Sequence, residues 1–119
     1  MSSETECLFC KILNGEIPAD VVYENDLVLA FRDIAPAAPI HVLVIPRTHI
    51  DHAGAIEADN AESVVAMMLA AQEVAKIEGI DGPERGYRLV MNVGPDALNS
   101  VPHLHLHVVG GRSLTWPPG

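Results

Sequence analysis

Apolar and polar residues alternate strictly along Pro102-His103-Leu104-His105-Leu106-His107-Val108-Val109. Period two belongs to a β-strand, so His103, His105 and His107 fall on one face and Leu104, Leu106 and Val108 on the other. Similar β-rich runs cover Val21 to Glu24, Leu27 to Asp33, Ile40 to Ile45 and Tyr87 to Asn92. Asn25-Asp26 separates the first two as a tight hairpin, and Gly94-Pro95-Asp96 turns the chain before the last. Two stretches carry helical periodicity instead. Leu8 to Leu13, stopped by Asn14-Gly15, predicts a short helix, and Ala61 to Glu78, with Asn60 as N-cap and Gly79 as stop, predicts a long one. Val64, Met68, Ala71 and Ala75 form its expected core face, and neither Met67 nor Met68 is given a functional role. The expected fold is α+β: a five-stranded, mainly antiparallel sheet with one long and one short helix.

Length and composition narrow the setting. A chain of 119 residues with no linker or repeat suits one domain. Its longest apolar run, Val64 to Ala71, falls far short of the ~20 residues that cross a bilayer. The opening Met1 to Glu6 is acidic where a secretion signal needs a basic start, so the expectation is a cytoplasmic protein with no membrane partner. A net charge of -9 repels a phosphate backbone and disfavours nucleic acid as partner. It does not disfavour a small anion, because distributed charge is screened beyond ~8 Å and the local site decides.

Three imidazoles on one strand face are costly if idle, since buried ring nitrogens need partners. The alternative is a merely structural histidine ladder. A single ion held by all three is disfavoured, because the outer Cα atoms would lie ~13 Å apart along a strand rising ~3.3 Å per residue. At least one imidazole is then left as nucleophile or proton donor. Cys7 and Cys10 have the spacing of a metal knuckle, which by itself is weak evidence. No glycine-rich phosphate loop is present, since Gly79 to Gly86 lacks the required spacing.

His103 to Val109 resembles the His-φ-His-φ-His-φ-φ signature (φ apolar) of the histidine triad family of nucleotide hydrolases and transferases. The resemblance takes in Leu8 to Ile12, Phe31 to Pro36, Ala38 to Ile50, Asn92, Ser100 and the tail Gly110-Gly111-Arg112 with Trp116-Pro117-Pro118-Gly119. That tail is similar to the Hint branch, whose members hydrolyse purine nucleoside 5'-phosphoramidates. By position, the resemblance implies His105 as nucleophile, His107 as donor to phosphate oxygen, His41 as the residue fixing tautomers behind it, and Ser100 near the departing amine. A third histidine at His107, where nucleotide-transferring relatives carry glutamine, favours hydrolysis. The same match implies an apolar base pocket of Phe9, Ile12, Phe31, Ile34 and Leu43, a ribose acceptor at Asp33, and sugar and phosphate contacts from Asn92, Asn99 and Ser100. Leu98-Asn99-Ser100 stands where relatives usually have Gly-Gln-Ser, and Pro102 replaces a common aromatic.

Members with the N-terminal cysteine pair bind zinc through both cysteines, the His of Pro-Arg-Thr-His and the first triad histidine. Here those are Cys7, Cys10, His49 and His103, which would make a structural site. His52 has no such support. The branch also implies a homodimer whose sheets join, with residues 110–119 contributing to the interface and Trp116 reaching the partner's site. Three other functions stay open: dinucleoside polyphosphate hydrolysis, AMP binding by a scaffold protein without turnover, and metal-dependent hydrolysis using the triad, which would be lost on stripping metal.

Overall fold

Asn25 turns the first hairpin by local hydrogen bonding. Its Oδ1 accepts from the backbone N–H groups of Leu27 (2.9 Å) and Val28 (3.1 Å), so the side chain stands in for a backbone acceptor. The flanking strands are β1 (Val21–Glu24) and β2 (Val28–Arg32). The computed structural model, which describes residues 7–119, adds β3 (Ile40–Pro46), β4 (Tyr87–Val90) and β5 (Leu106–Gly110), with helices α1 (Leu8–Leu13) and α2 (Ala61–Ile77). The acidic segment Met1 to Glu6 lies outside the described residues. The sheet has the five strands expected and is antiparallel at every pair, in the order β1-β2-β3-β5-β4.

Register sorts the side chains onto two faces. Phe31, Leu43 and His107 form one row across β2, β3 and β5. The alternate row Ala30, Val44 and Leu106 points the other way, into a core shared with Met67, Ala70, Ala71, Val74 and Ala75 of α2. The first face carries a smaller apolar cluster of Cys7, Phe9, Leu29, Phe31, Leu43 and Ile45. One sheet therefore separates a helix-covered core from a histidine-bearing face.

Three expectations shift. The core face of α2 is centred on Met67 and Val74, whereas Met68 is 42% exposed and Val64 only half-buried. This helix is apolar on most of its circumference, so periodicity leaves its rotation undecided and the sheet selects it. Asn60 precedes α2, but its side chain accepts from Glu57 N–H (2.8 Å) and closes the preceding 3-10 turn. The histidine strand starts at Leu106 rather than His103. Leu104 N–H donates to the carbonyl of Ile50 (2.6 Å) and His103 N–H to that of Val101 (2.9 Å), which takes both residues out of the β3 ladder. The other end of α2 behaves as expected: Gly79 takes φ +74° and lets buried Ile80 donate back to Ala75 (2.9 Å).

The rotation of α2 is testable. Met67→Ala should cost about 2–5 kcal/mol in urea unfolding, as for a fully buried side chain, and Met68→Ala about 0.5 kcal/mol or less. Equal losses would contradict the rotation. Among the described residues no helix is long and apolar enough to cross a membrane.

Candidate functional site

Hydrogen bonds at each histidine's second nitrogen decide what its first can do. A carbonyl or carboxylate oxygen only accepts, so the ring nitrogen facing it carries the proton and the other keeps a lone pair. His103 donates from Nε2 to the carbonyl of Pro46 (3.0 Å), and His49 donates from Nε2 to Asp51 Oδ1 (2.8 Å). Both therefore turn unprotonated Nδ1 atoms inward. His103 Nδ1 lies 3.3 Å from Cys7 Sγ and 3.5 Å from Cys10 Sγ, and His49 Nδ1 lies 3.3 Å from Cys10 Sγ.

Tetrahedral zinc, with Zn–S of about 2.3 Å and Zn–N of about 2.0 Å, sets N···S edges of about 3.5 Å, close to these separations. All four ligand atoms lie within 4.8 Å of one another. Cys7, Cys10, His49 and His103 thus form a candidate zinc site, and Asp51 and Pro46 hold the imidazoles in the ligating tautomer from behind. Cys7 also N-caps α1, its sulfur accepting from Cys10 N–H (3.3 Å). The short helix, the turn after β3 and the approach to β5 converge here.

Asp33, His41 and His107 also approach within 4.8 Å of one another, but their hydrogen bonding is different. Ala37 N–H donates to His41 Nδ1 (3.0 Å), so the proton of neutral His41 sits on Nε2. That atom faces His107 Nδ1 at 2.8 Å and Asp33 Oδ2 at 3.4 Å. His41 thus offers N–H where a metal needs a lone pair, and the group forms a relay instead. Accepting at Nδ1 leaves His107 with its proton on Nε2, a buried atom that has no partner among the described residues.

His107 is pushed down to about 4 from an ordinary 6.5, first by burial and then by His105 and His41, with Asp33 opposing. It is neutral at pH 7 and donates without adding charge. The unfolded chain protonates this residue near 6.5, whereas the folded chain resists until about 4. Its contribution to stability is therefore complete above 6.5 and lost as pH falls through that window. Urea midpoints should drop between pH 7 and pH 4.5, with a shallower drop in His107→Gln. An equal drop in both proteins would remove His107 from the account.

His105 presents the reverse tautomer. It donates from Nδ1 to the carbonyl of His103 (2.7 Å), which leaves the lone pair on Nε2. Its ring packs edge-on against Phe9 (centroids 5.1 Å) and lies 5.0 Å from the His107 ring. Both histidines line a cleft of about 600 Å³ together with Phe9, Ile12, Phe31, Asp33, Ile34, Leu43, Asn92 and Ser100. This groups most of the residues singled out in the sequence. Phe9, Phe31 and Leu43 are buried beneath it, while Ile34 is fully exposed at its rim.

His41 stands behind His107, outside the lining. Asn99 also lies off the lining, its Oδ1 buried without a partner among the described residues. Trp116 is 80% exposed with Arg88 over its ring (5.9 Å), and does not line the cleft of its own chain. His52 accepts at Nδ1 from Gly54 N–H (3.0 Å) and caps a 3-10 turn.

The sequence reading missed Arg32, a cation of the lining, which is held by Asp20 (3.3 Å) and Glu78 (2.8 Å). It also missed Asp51, which the His-x-Asp spacing could have indicated. The contributions of Ala37 N–H and of the His103 and Pro46 carbonyls carry no sequence signal, because every residue offers such groups.

A family profile described as HIT domain matches residues 14–114. The chain is 48% identical over 119 residues to an uncharacterised HIT-like protein of Synechococcus elongatus, covering 100% of both. It is 44% identical over 116 residues to a 14 kDa zinc-binding protein of Brassica juncea, covering 96% of this chain and 100% of that one. Among solved structures, a HIT family hydrolase from Legionella pneumophila superimposes with TM-score 0.90 at 50% identity, over 95% of this chain and 99% of that one. A histidine triad protein from Clostridium difficile gives 0.86 at 42%, over 92% and 94%. With its sheet order, its histidine face and these relatives in agreement, the chain belongs to the histidine triad (HIT) family.

Proposed function

We propose that this protein is a hydrolase of the Hint branch that cleaves the P–N bond of purine nucleoside 5'-phosphoramidates through a nucleotidyl-histidine intermediate. The observation that carries the reading is the pair of opposite tautomers in one cleft: a lone pair on His105 Nε2 beside an unpartnered N–H on His107 Nε2. One is a nucleophile and the other a donor. The family membership and the hydrolase from Legionella pneumophila support the same class of reaction.

In the first half-reaction His105 Nε2 forms a bond to phosphorus while the P–N bond breaks, and the amine leaves with a proton drawn from solvent water on the Ser100 side of the cleft. The imidazole becomes cationic, which strengthens its Nδ1–H bond to the His103 carbonyl. His107 Nε2–H donates to the phosphate oxygen that gains charge, and His41 and Asp33 polarise it from behind. Water then attacks phosphorus, the electron pair returns to His105, and the proton that water gives up balances the one taken by the amine. The net change is phosphoramidate plus water to nucleoside monophosphate plus amine.

Phe9, Phe31, Ile12 and Leu43 offer the apolar floor that a base would cover, with Ile34 closing over it from the rim and Asp33 accepting from the ribose. Asn92, Asn99 and Ser100 serve the sugar and phosphate. Zinc at Cys7, Cys10, His49 and His103 would clamp the fold and take no part in bond breaking. We extend the proposal to a single domain over the chain, acting in the cytoplasm, where thiols stay reduced, and to a homodimer. Exposed Val65, Met68 and Leu69 on α2 and the open edge of β4 supply a surface for a second copy, and the Trp116 tail would reach the partner's cleft.

The test is AMP release from adenosine 5'-phosphoramidate beside turnover of a diadenosine polyphosphate. The phosphoramidate should be the better substrate. Preference for the polyphosphate, or binding of AMP with no turnover of either compound, would overturn the reading. A monomer mass at micromolar concentration would overturn the dimer.

A further inference from the structure

Leu98 ends the 3-10 turn Pro95–Ala97 at φ 62°, ψ 32°, and it is the one non-glycine residue with positive φ among the described residues. A branched aliphatic side chain is disfavoured there by contact of Cβ with its own backbone, a conformation that glycine adopts freely and asparagine tolerates. Burial does not compensate, because Leu98 is 85% exposed. Its backbone is nonetheless fixed: Leu98 N–H donates to Pro95 (3.0 Å) and Asn99 N–H to Gly94 (3.1 Å). The side chain is thus held in the open at the wall of the cleft. Leu98, Ser100 and Val101 belong to the segment that runs into His103 and His105, whereas the buried floor comes from α1, β2 and β3. Leu98 therefore stands two residues from Ser100, on whose side of the cleft the amine is proposed to leave.

Neither local geometry nor packing among the described residues accounts for leucine at this position, and an apolar group seated at the cleft mouth does. We infer that Leu98 is a specificity residue that selects phosphoramidates whose leaving amine carries an apolar arm, such as an arylalkylamine. The inference rests on the phosphoramidate reading above. The arm packs on Leu98 while the P–N bond is intact, and departs with the protonated amine when His105 Nε2 takes its place on phosphorus.

The test compares kcat/KM for N-phenethyl and unsubstituted adenosine 5'-phosphoramidate in the wild type, Leu98→Gly and Leu98→Asn, both of which fit the backbone. The ratio of phenethyl to unsubstituted turnover should fall about 10-fold in each variant, the scale of one apolar contact in discrimination. An unchanged ratio would overturn the inference, as would an equal loss on both substrates, which marks damage to the loop. Conversion of a wild-type dimer to monomer by either variant would overturn it too, by making Leu98 a subunit contact. Absence of wild-type turnover on both compounds would reject the phosphoramidate reading and this inference with it.

Discussion

His105→Ala should lower AMP release from a nucleoside phosphoramidate by about 10³-fold or more while leaving nucleotide binding nearly intact. That is the scale of removing a covalent nucleophile from a site that keeps its positioning and charge stabilisation. The other two triad histidines cannot substitute. His103 is fully buried, with Nε2 on the Pro46 carbonyl and Nδ1 facing the two sulfurs. His107 accepts at Nδ1 from His41 and so carries its proton on the nitrogen it would need for attack. The apolar floor of Phe31 and Leu43 lies on other strands and should survive the substitution. Rapid-quench mass spectrometry of the wild type should find the nucleotidyl adduct on the peptide containing His105, at that residue. An adduct elsewhere, or substantial turnover by the variant, would refute the assignment.

Losing the metal should act on stability more than on chemistry. Helix α1 has six residues, too few to hold together alone. It is anchored by Cys7, which is 2% exposed, and by Phe9, whose ring meets Phe31 at 5.6 Å and His103 at 5.9 Å. A Cys7→Ser, Cys10→Ser protein gives up two of the four ligands and should lose on the order of 3 kcal/mol, lowering Tm by roughly 10 °C. Elemental analysis should find one zinc per chain in the wild type purified without chelator and none in the variant. Activity should fall far less than in His105→Ala, because the variant keeps the nucleophile and the His103 carbonyl that orients it. Zinc well below one per wild-type chain, or an unchanged Tm in the variant, would refute the structural role.

Much of the fold was legible in local pattern. Alternation separated Leu104, Leu106 and Val108 from the histidines, and the structure keeps that division even though regular pairing starts only at Leu106. The Asn25 hairpin and the Gly79 stop were equally readable, because turn chemistry resides in the turn residues themselves. The rotation of α2 was legible only in part: Ala71 and Ala75 face the core as expected, and Met68 does not. A helix reading AESVVAMMLAAQEVAKI has apolar residues on nearly every side, and the sheet it packs on chooses Met67 over Met68.

The sequence by itself determined which side chains could do chemistry: two cysteines at knuckle spacing, three histidines on one strand face, and an acidic surface with its few cations dispersed. The tertiary structure decided what each histidine does. Cys7 and His103, 96 positions apart, meet only because α1 folds back against the approach to β5. The roles of His103, His105, His107 and His41 then follow from which ring nitrogen meets the Pro46 carbonyl, the His103 carbonyl, the His41 N–H or the Ala37 N–H. Three of those four partners are main-chain groups that every residue carries, so only the path of the backbone through space could assign them.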